Sequence, residues 1–129
     1  MPLKKGFKQL LAEANAVVDT ITVQQALEGV HDPSVQFVDV REQAELAASG
    51  TIPGAVHAPR GLLEFIADPE STAHKPQLSS GKTLVLYCAS GGRSALSAKT
   101  LKDMGIENVR HIAGGFTAWK AAGGPVAAV

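Results

Sequence analysis

Thr83-Leu84-Val85-Leu86-Tyr87-Cys88-Ala89-Ser90-Gly91-Gly92-Arg93-Ser94 is the stretch on which the reading of this 129-residue chain turns. Its first five residues form a short, continuous apolar run with β-branched and aromatic members, the pattern of a buried strand. The run leads straight into the chain's single cysteine. Beyond the loop a helical spacing takes over, with Ala95, Leu96, Ala98, Leu101 and Met104 at its apolar positions and Gly105 as its cap. Strand, tight loop and helix in this order form the unit from which parallel sheets are built.

Outward from that unit the alternation repeats. Upstream, Val35-Gln36-Phe37-Val38-Asp39-Val40 reads as a second buried strand ending near Asp39, followed by a short helix over 42–48 closed by Ser49-Gly50. Ile52-Pro53-Gly54-Ala55 is a turn, because Pro and Gly forbid a regular element there, and 55–58 continues extended. A helical piece at 61–67 precedes 68–81, a polar stretch without apolar period that reads as the most mobile loop. Nearer the start, Thr20-Ile21-Thr22 predicts a short strand, and Thr22 with Gln25 three residues on predicts a capping box for a helix running to Gly29. Downstream, a strand at 109–112 and a helix over 116–122 complete the pattern, which specifies an α/β domain with a mainly parallel sheet. Leu3, Phe7, Leu10, Leu11, Ala14, Val17 and Val18 predict one more amphipathic helix over 3–18, outside this alternation.

Composition narrows the function. Twelve Lys and Arg balance 12 Asp and Glu, and no basic cluster is longer than Lys4-Lys5, so a nucleic-acid partner is not expected. No apolar stretch reaches the length of a membrane span, and no apolar segment of the signal-peptide kind follows Lys4-Lys5. With 45% hydrophobic residues, a chain of this length can build its core without metal or disulfide staples. One cysteine excludes an intramolecular disulfide and points to a reducing, cytoplasmic location. His31, His57, His74 and His111 fit no local metal motif, so no metal site and no cofactor are expected.

Cys88 carries the chemistry. It stands where a strand hands over to a helix N-terminus, and Gly91-Gly92 lets the loop fold with its amides pointed inward, a nest of N–H donors around one sulfur. Such a nest, with Arg93 beside it, favours thiolate over thiol and makes a nucleophile. The plainer alternative is a small hydrophobe at a strand end, but an inert cysteine needs neither the glycine pair nor the adjoining helix. Arg93 is placed to meet an anionic substrate or to form an ion pair. Ser94 reads as the helix N-cap, with a hydroxyl still able to touch a ligand. Phe116 and Trp119, three apart on the last helix, read as core.

Four segments now align with a known pattern. Val38-Asp39-Val40-Arg41-Glu42, Gly50-Thr51-Ile52-Pro53-Gly54-Ala55-Val56, Tyr87 to Ser94, and Gly114-Gly115-Phe116-Thr117-Ala118-Trp119 resemble, in that order, the motifs of the rhodanese family. The resemblance covers about 20–126, with 1–19 as an N-terminal amphipathic helix packed on or extending that single domain. It implies a five-stranded parallel sheet flanked by helices on both faces. It also implies that Cys88 is the persulfide-forming cysteine and that Ala89, Ser90, Gly91, Gly92, Arg93 and Ser94 line the substrate loop. Arg60 lies in a turn that resembles a family loop near the site and is a further substrate-binding candidate. Asp39, Arg41 and Glu42 are expected to support the site through ion pairs. Thr51 stands where family members often carry His, a departure read as a structural turn position.

Loop length separates two relatives of this pattern. Cysteine-dependent phosphatases place five residues between Cys and Arg, whereas four separate Cys88 from Arg93, which suits a sulfane sulfur. The resemblance therefore implies a sulfurtransferase that moves sulfur from thiosulfate or a similar donor to cyanide or a thiol. The alternative it leaves open is a regulatory or sulfur-carrier module acting through a protein partner. A redox sensor ranks last, since no second cysteine is present to resolve a sulfenic acid.

Overall fold

The computed structural model describes residues 2–129; Met1, the first residue of the expected N-terminal segment, lies outside the described residues. Five strands form one parallel sheet: β1 (Asp19–Ile21), β2 (Val35–Asp39), β3 (Val56–His57), β4 (Thr83–Tyr87) and β5 (Val109–Ile112). Their order across the sheet is β1-β5-β4-β2-β3, which makes β4 the central strand. Six α-helices among the described residues flank or join them: α1 (Phe7–Val17), α2 (Val23–Glu28), α3 (Gln43–Ser49), α4 (Leu63–Ala67), α5 (Gly92–Asp103) and α6 (Gly115–Ala121).

Strand alternation distributes the core over both faces of the sheet. Val38, Leu84, Leu86 and Val109 point to one side, where they meet Leu63 and Ile66 of α4 and Ala98 and Leu101 of α5. Phe37, Val85, Tyr87 and Ile112 point to the other, against Ala26 of α2 and Phe116 and Trp119 of α6. A strand covered on both faces has no polar face to alternate with, which is why β4 reads as a continuous apolar run. Cys88 continues the Leu84–Leu86 side, beneath α5.

The capping box at Thr22 forms as expected: Thr22 Oγ1 accepts from the Gln25 amide and the Gln25 side chain accepts from the Thr22 amide. Other boundaries move. α1 begins at Phe7, not at 3, because Gly6 is its N-cap, and Leu3 and Phe7 stay exposed while Ala14 is buried. The polar stretch 68–81 contains a 3-10 turn over Pro76–Ser79 that buries Leu78, and His74 Nδ1 meets the Ile66 carbonyl at 2.9 Å. That segment is fastened to the domain at both points. At the other end, Trp119 Nε1 donates to the Pro125 carbonyl, and Thr51 and Ala127 pair as an antiparallel bridge.

Candidate active site

β4 ends at Tyr87, and the chain folds back over the next four residues into α5. The helix starts at Gly92, two residues before the Ser94 expected as its N-cap. Gly91 takes that position with a left-handed φ of 115°, and no side chain caps the end. The early start carries the first helical amides into the loop. Gly91 N–H donates to Cys88 Sγ at 3.1 Å, Ser94 N–H reaches it at 3.4 Å, and Ser94 Oγ lies 3.6 Å away. Ser94 is thus a neighbour of the sulfur inside the first helical turn, buried completely.

Burial alone would push the Cys88 thiol up. Hydrogen bonds from the Ser94 hydroxyl and from the Ser94, Gly91 and Ser90 amides outweigh it, and the thiol sits below its ordinary pKa. The loop is held from beneath by α6. Phe116 N–H donates to the Cys88 carbonyl at 2.8 Å and Thr117 N–H to the Ala89 carbonyl at 3.1 Å. For the two segments to approach this closely, Gly115 must lack a side chain: its φ is +58°, and a Cβ there would strike the Cys88 carbonyl oxygen.

Arg93 does not stand free beside the sulfur. Its guanidinium makes a two-pronged pair with Glu45 of α3, at 2.6 and 2.9 Å. That bond raises the Arg93 pKa above its ordinary value, with the Cys88 thiolate adding to it, and holds the Glu45 carboxyl down at about 2. Two of the five guanidinium N–H groups are used by Glu45, which leaves three for a ligand. Glu45 also accepts from the Glu42 amide. Glu42 accordingly opens α3 as its N-cap and makes none of the ion pairs found among the described residues, a correction to its expected role.

Asp39 and Arg41 pair as expected, and both are almost fully buried. Asp39 accepts from the Arg41 amide, Nε and Nη2, and from Thr51 Oγ1. Because the single Thr51 proton goes to Asp39, the Tyr87 hydroxyl donates to Thr51 at 2.7 Å and itself accepts from the Ile52 amide. Thr51 thereby ties the turn to the end of β4. The Arg41 guanidinium carbon lies 4.3 Å from the centroid of the Phe116 ring.

Arg60 is directed elsewhere. Its guanidinium meets Glu64 and Thr100. Thr100 lies seven residues beyond Arg93 on the same helix, roughly 10 Å along its axis. The structure does not bring Arg60 to the loop, because the turn at Pro59 aims it along α5. Two residues missed in the sequence do belong to the site: Glu45, from α3, and His111, whose Nδ1 lies 3.1 Å from Ser94 Oγ. The alternation of β5 beside β4 could have pointed to His111; nothing local marks Glu45.

A parallel sheet with a cysteine nest at the end of its central strand defines a class, and comparison with known proteins agrees with it. The family described as Rhodanese-like domain matches residues 22–122, and the chain belongs to that family. A solved structure from Rhodopseudomonas palustris, described as a protein of unknown function and possible tyrosine phosphatase, is 43% identical over 98% of each chain, with a TM-score of 0.94. The thiosulfate:glutathione sulfurtransferase of Saccharomyces cerevisiae is 36% identical, over 74% of this chain and 72% of the yeast protein. A sulfurtransferase from Allochromatium vinosum is 31% identical, over 86% and 94%. A Synechocystis relative, 34% identical, is longer, and the chain spans 56% of it.

Proposed function

We propose that this protein is a sulfurtransferase that takes a sulfane sulfur from thiosulfate or a similar anion onto Cys88 and passes it to cyanide or a thiol. The observation that carries this reading is the Cys88 loop itself: four residues before Arg93, closed so that the Gly91 and Ser94 amides converge on a single sulfur. The names of the yeast and Allochromatium relatives support it.

In the first half-reaction the Cys88 thiolate attacks the outer sulfur of the donor. An Sγ–S bond forms, the donor's S–S bond breaks, and its electron pair leaves with sulfite. The remaining N–H groups of Arg93 and the exposed Ser90 hydroxyl face the donor's oxygens. In the second half-reaction the acceptor attacks the outer sulfur of the Cys88 persulfide and Cys88 leaves as thiolate, so no proton need be supplied to a leaving group. Lone cysteine usage fits a reducing, cytoplasmic setting. A protein thiol can serve as acceptor by the same step.

The test is steady-state formation of thiocyanate from thiosulfate and cyanide, run beside hydrolysis of p-nitrophenyl phosphate. The wild type is expected to form thiocyanate and Cys88→Ala to form none. Phosphate ester hydrolysis with thiosulfate inert would overturn the reading and favour the phosphatase chemistry suggested for the Rhodopseudomonas protein.

A further inference from the structure

The nucleophile has a buried neighbour that the two half-reactions leave unused. His111, at 3% exposure, comes from β5 and faces three uncharged groups: Ser94 of α5, Thr20 of β1 and Asn15 of α1. Its Nδ1 lies 3.1 Å from Ser94 Oγ, and its Nε2 lies 2.9 Å from Thr20 Oγ1 and 3.3 Å from Asn15 Oδ1. The ring edge borders a surface depression of about 240 Å³ that Asn15, Thr20, Ser90 and Gly91 also line, so Nε2 has a short way to water. Asp19 and Arg110 sit one residue back on their strands, exposed on the opposite face. Through Ser94, Cys88 is the titratable group that His111 can sense.

Three acceptors surround the one Ser94 hydroxyl proton: the Gly91 carbonyl at 3.2 Å, His111 Nδ1 at 3.1 Å and Cys88 Sγ at 3.6 Å. Which of them receives it depends on the His111 tautomer. With the ring proton on Nε2, directed to Asn15 and Thr20, Nδ1 accepts from Ser94, whose oxygen is then free to accept the Cys88 S–H. With the ring proton on Nδ1, His111 donates to Ser94 and the hydroxyl proton is free for the thiolate. The two tautomers match the two states of the cysteine.

We propose that His111 is a positioning residue for the nucleophile, holding the Ser94 hydroxyl toward Cys88 Sγ and exchanging ring tautomers as Cys88 passes between thiol and thiolate. The protons balance. On deprotonation the S–H proton moves to Ser94 Oγ, the Ser94 proton moves to Nδ1, and the Nε2 proton leaves to water in the depression. The ring starts and ends neutral. Burial, which holds the His111 imidazole below its ordinary pKa, keeps it so near neutral pH.

This inference rests on Cys88 being the nucleophile of the proposed reaction, and its test needs no sulfur donor. The rate of Cys88 alkylation by iodoacetamide is measured from pH 5 to 10 in wild type, His111→Phe, Ser94→Ala and the double variant, with folding followed by circular dichroism. His111→Phe is expected to raise the midpoint by about one pH unit, roughly a tenfold lower rate below it. Ser94→Ala is expected to raise it at least as far, and the double variant no further than Ser94→Ala. An unmoved midpoint in folded His111→Phe, or additive shifts in the double variant, would overturn the proposal.

The wild type supplies a second reading that does not depend on variants folding. With ¹⁵N-labelled histidine, His111 Nδ1 is expected to change from acceptor to N–H over the same pH interval in which alkylation accelerates. One unchanged tautomer throughout would equally overturn it. Loading of Cys88 by thiosulfate with an unmoved alkylation profile would refute the role of His111 alone, while a coupled alkylation profile without loading would refute the sulfurtransferase reading alone.

Discussion

β2 and β4 run side by side, with Asp39 opposite Tyr87 in the register, and each brings a buried ionisable group, Asp39 or Cys88, to the same end of the sheet. The two strand ends are built differently. At the last residue of β2, the Asp39 carboxylate receives donors from the Arg41 backbone, the Arg41 side chain and Thr51, so its charge is met by an opposite charge at 2.7 Å. After β4, Cys88 Sγ receives the Gly91 and Ser94 amides and lies 3.6 Å from the Ser94 hydroxyl, and the nearby cation, Arg93, is held by Glu45. A carboxylate with all its partners has nothing left to offer a ligand. A thiolate held by neutral donors is stabilised and still reactive, and this difference separates a structural knot from a candidate nucleophile.

Removing one partner from the knot is the largest expected effect. Arg41→Ala leaves the buried Asp39 charge without its counter-ion and should cost about 3–5 kcal/mol of stability in urea unfolding. Cys88→Ala should stay within about 1 kcal/mol of wild type. Equal costs for the two would erase the distinction between them.

Gly115→Ala comes next and attacks the loop from beneath. A left-handed backbone and a collision with the Cys88 carbonyl should cost about 2 kcal/mol. By displacing the amides, the change should also lower kcat/KM for thiosulfate at least about tenfold. A variant of normal activity would mean that α6 does not hold the nest.

β4 and its loop were legible in the sequence because a doubly covered strand, a glycine pair and a lone cysteine are local signals. So was the Thr22–Gln25 capping box, which spans a single turn. The start of α5 was not, because Gly91 caps it through backbone conformation and leaves no polar side chain to mark it, so Ser94 drew that role. Glu45, which meets Arg93 across 48 positions, and His111, which meets Ser94 across 17, belong to the site through the packing of elements that no spacing along the chain records. Arg60 departs from its expected place for the converse reason: its motif lies near the site in the family pattern, while its side chain is drawn along α5 to Thr100.

Thr51→Val tests the hydroxyl that links the two strand ends. Losing its bonds to Asp39 and Tyr87 should cost about 1–2 kcal/mol, read by thermal unfolding, with the thiosulfate rate little changed. A large loss of rate with the stability intact would mean that the knot reaches the chemistry.

Glu45→Gln is the gentlest change. Arg93 loses its anchor, and KM for thiosulfate should rise a few-fold with kcat nearly constant. The acid limb of stability should respond as well. Glu45 titrates near 2 in the folded protein against an ordinary 4.5, so as pH falls the unfolded chain takes up that proton first. Its contribution is complete above about pH 4.5 and is lost as the pH drops toward 2. Glu45→Gln should flatten that part of the stability curve; an unchanged slope would show that the pair contributes nothing there.

The most direct test of the nest as a sulfur site is the intact mass of the protein after incubation with thiosulfate and removal of excess donor. The expected result is a gain of one sulfur atom that cyanide then removes, absent from Cys88→Ala, the chain having no other thiol. No gain with thiosulfate, and none with a persulfidated small thiol, would contradict it.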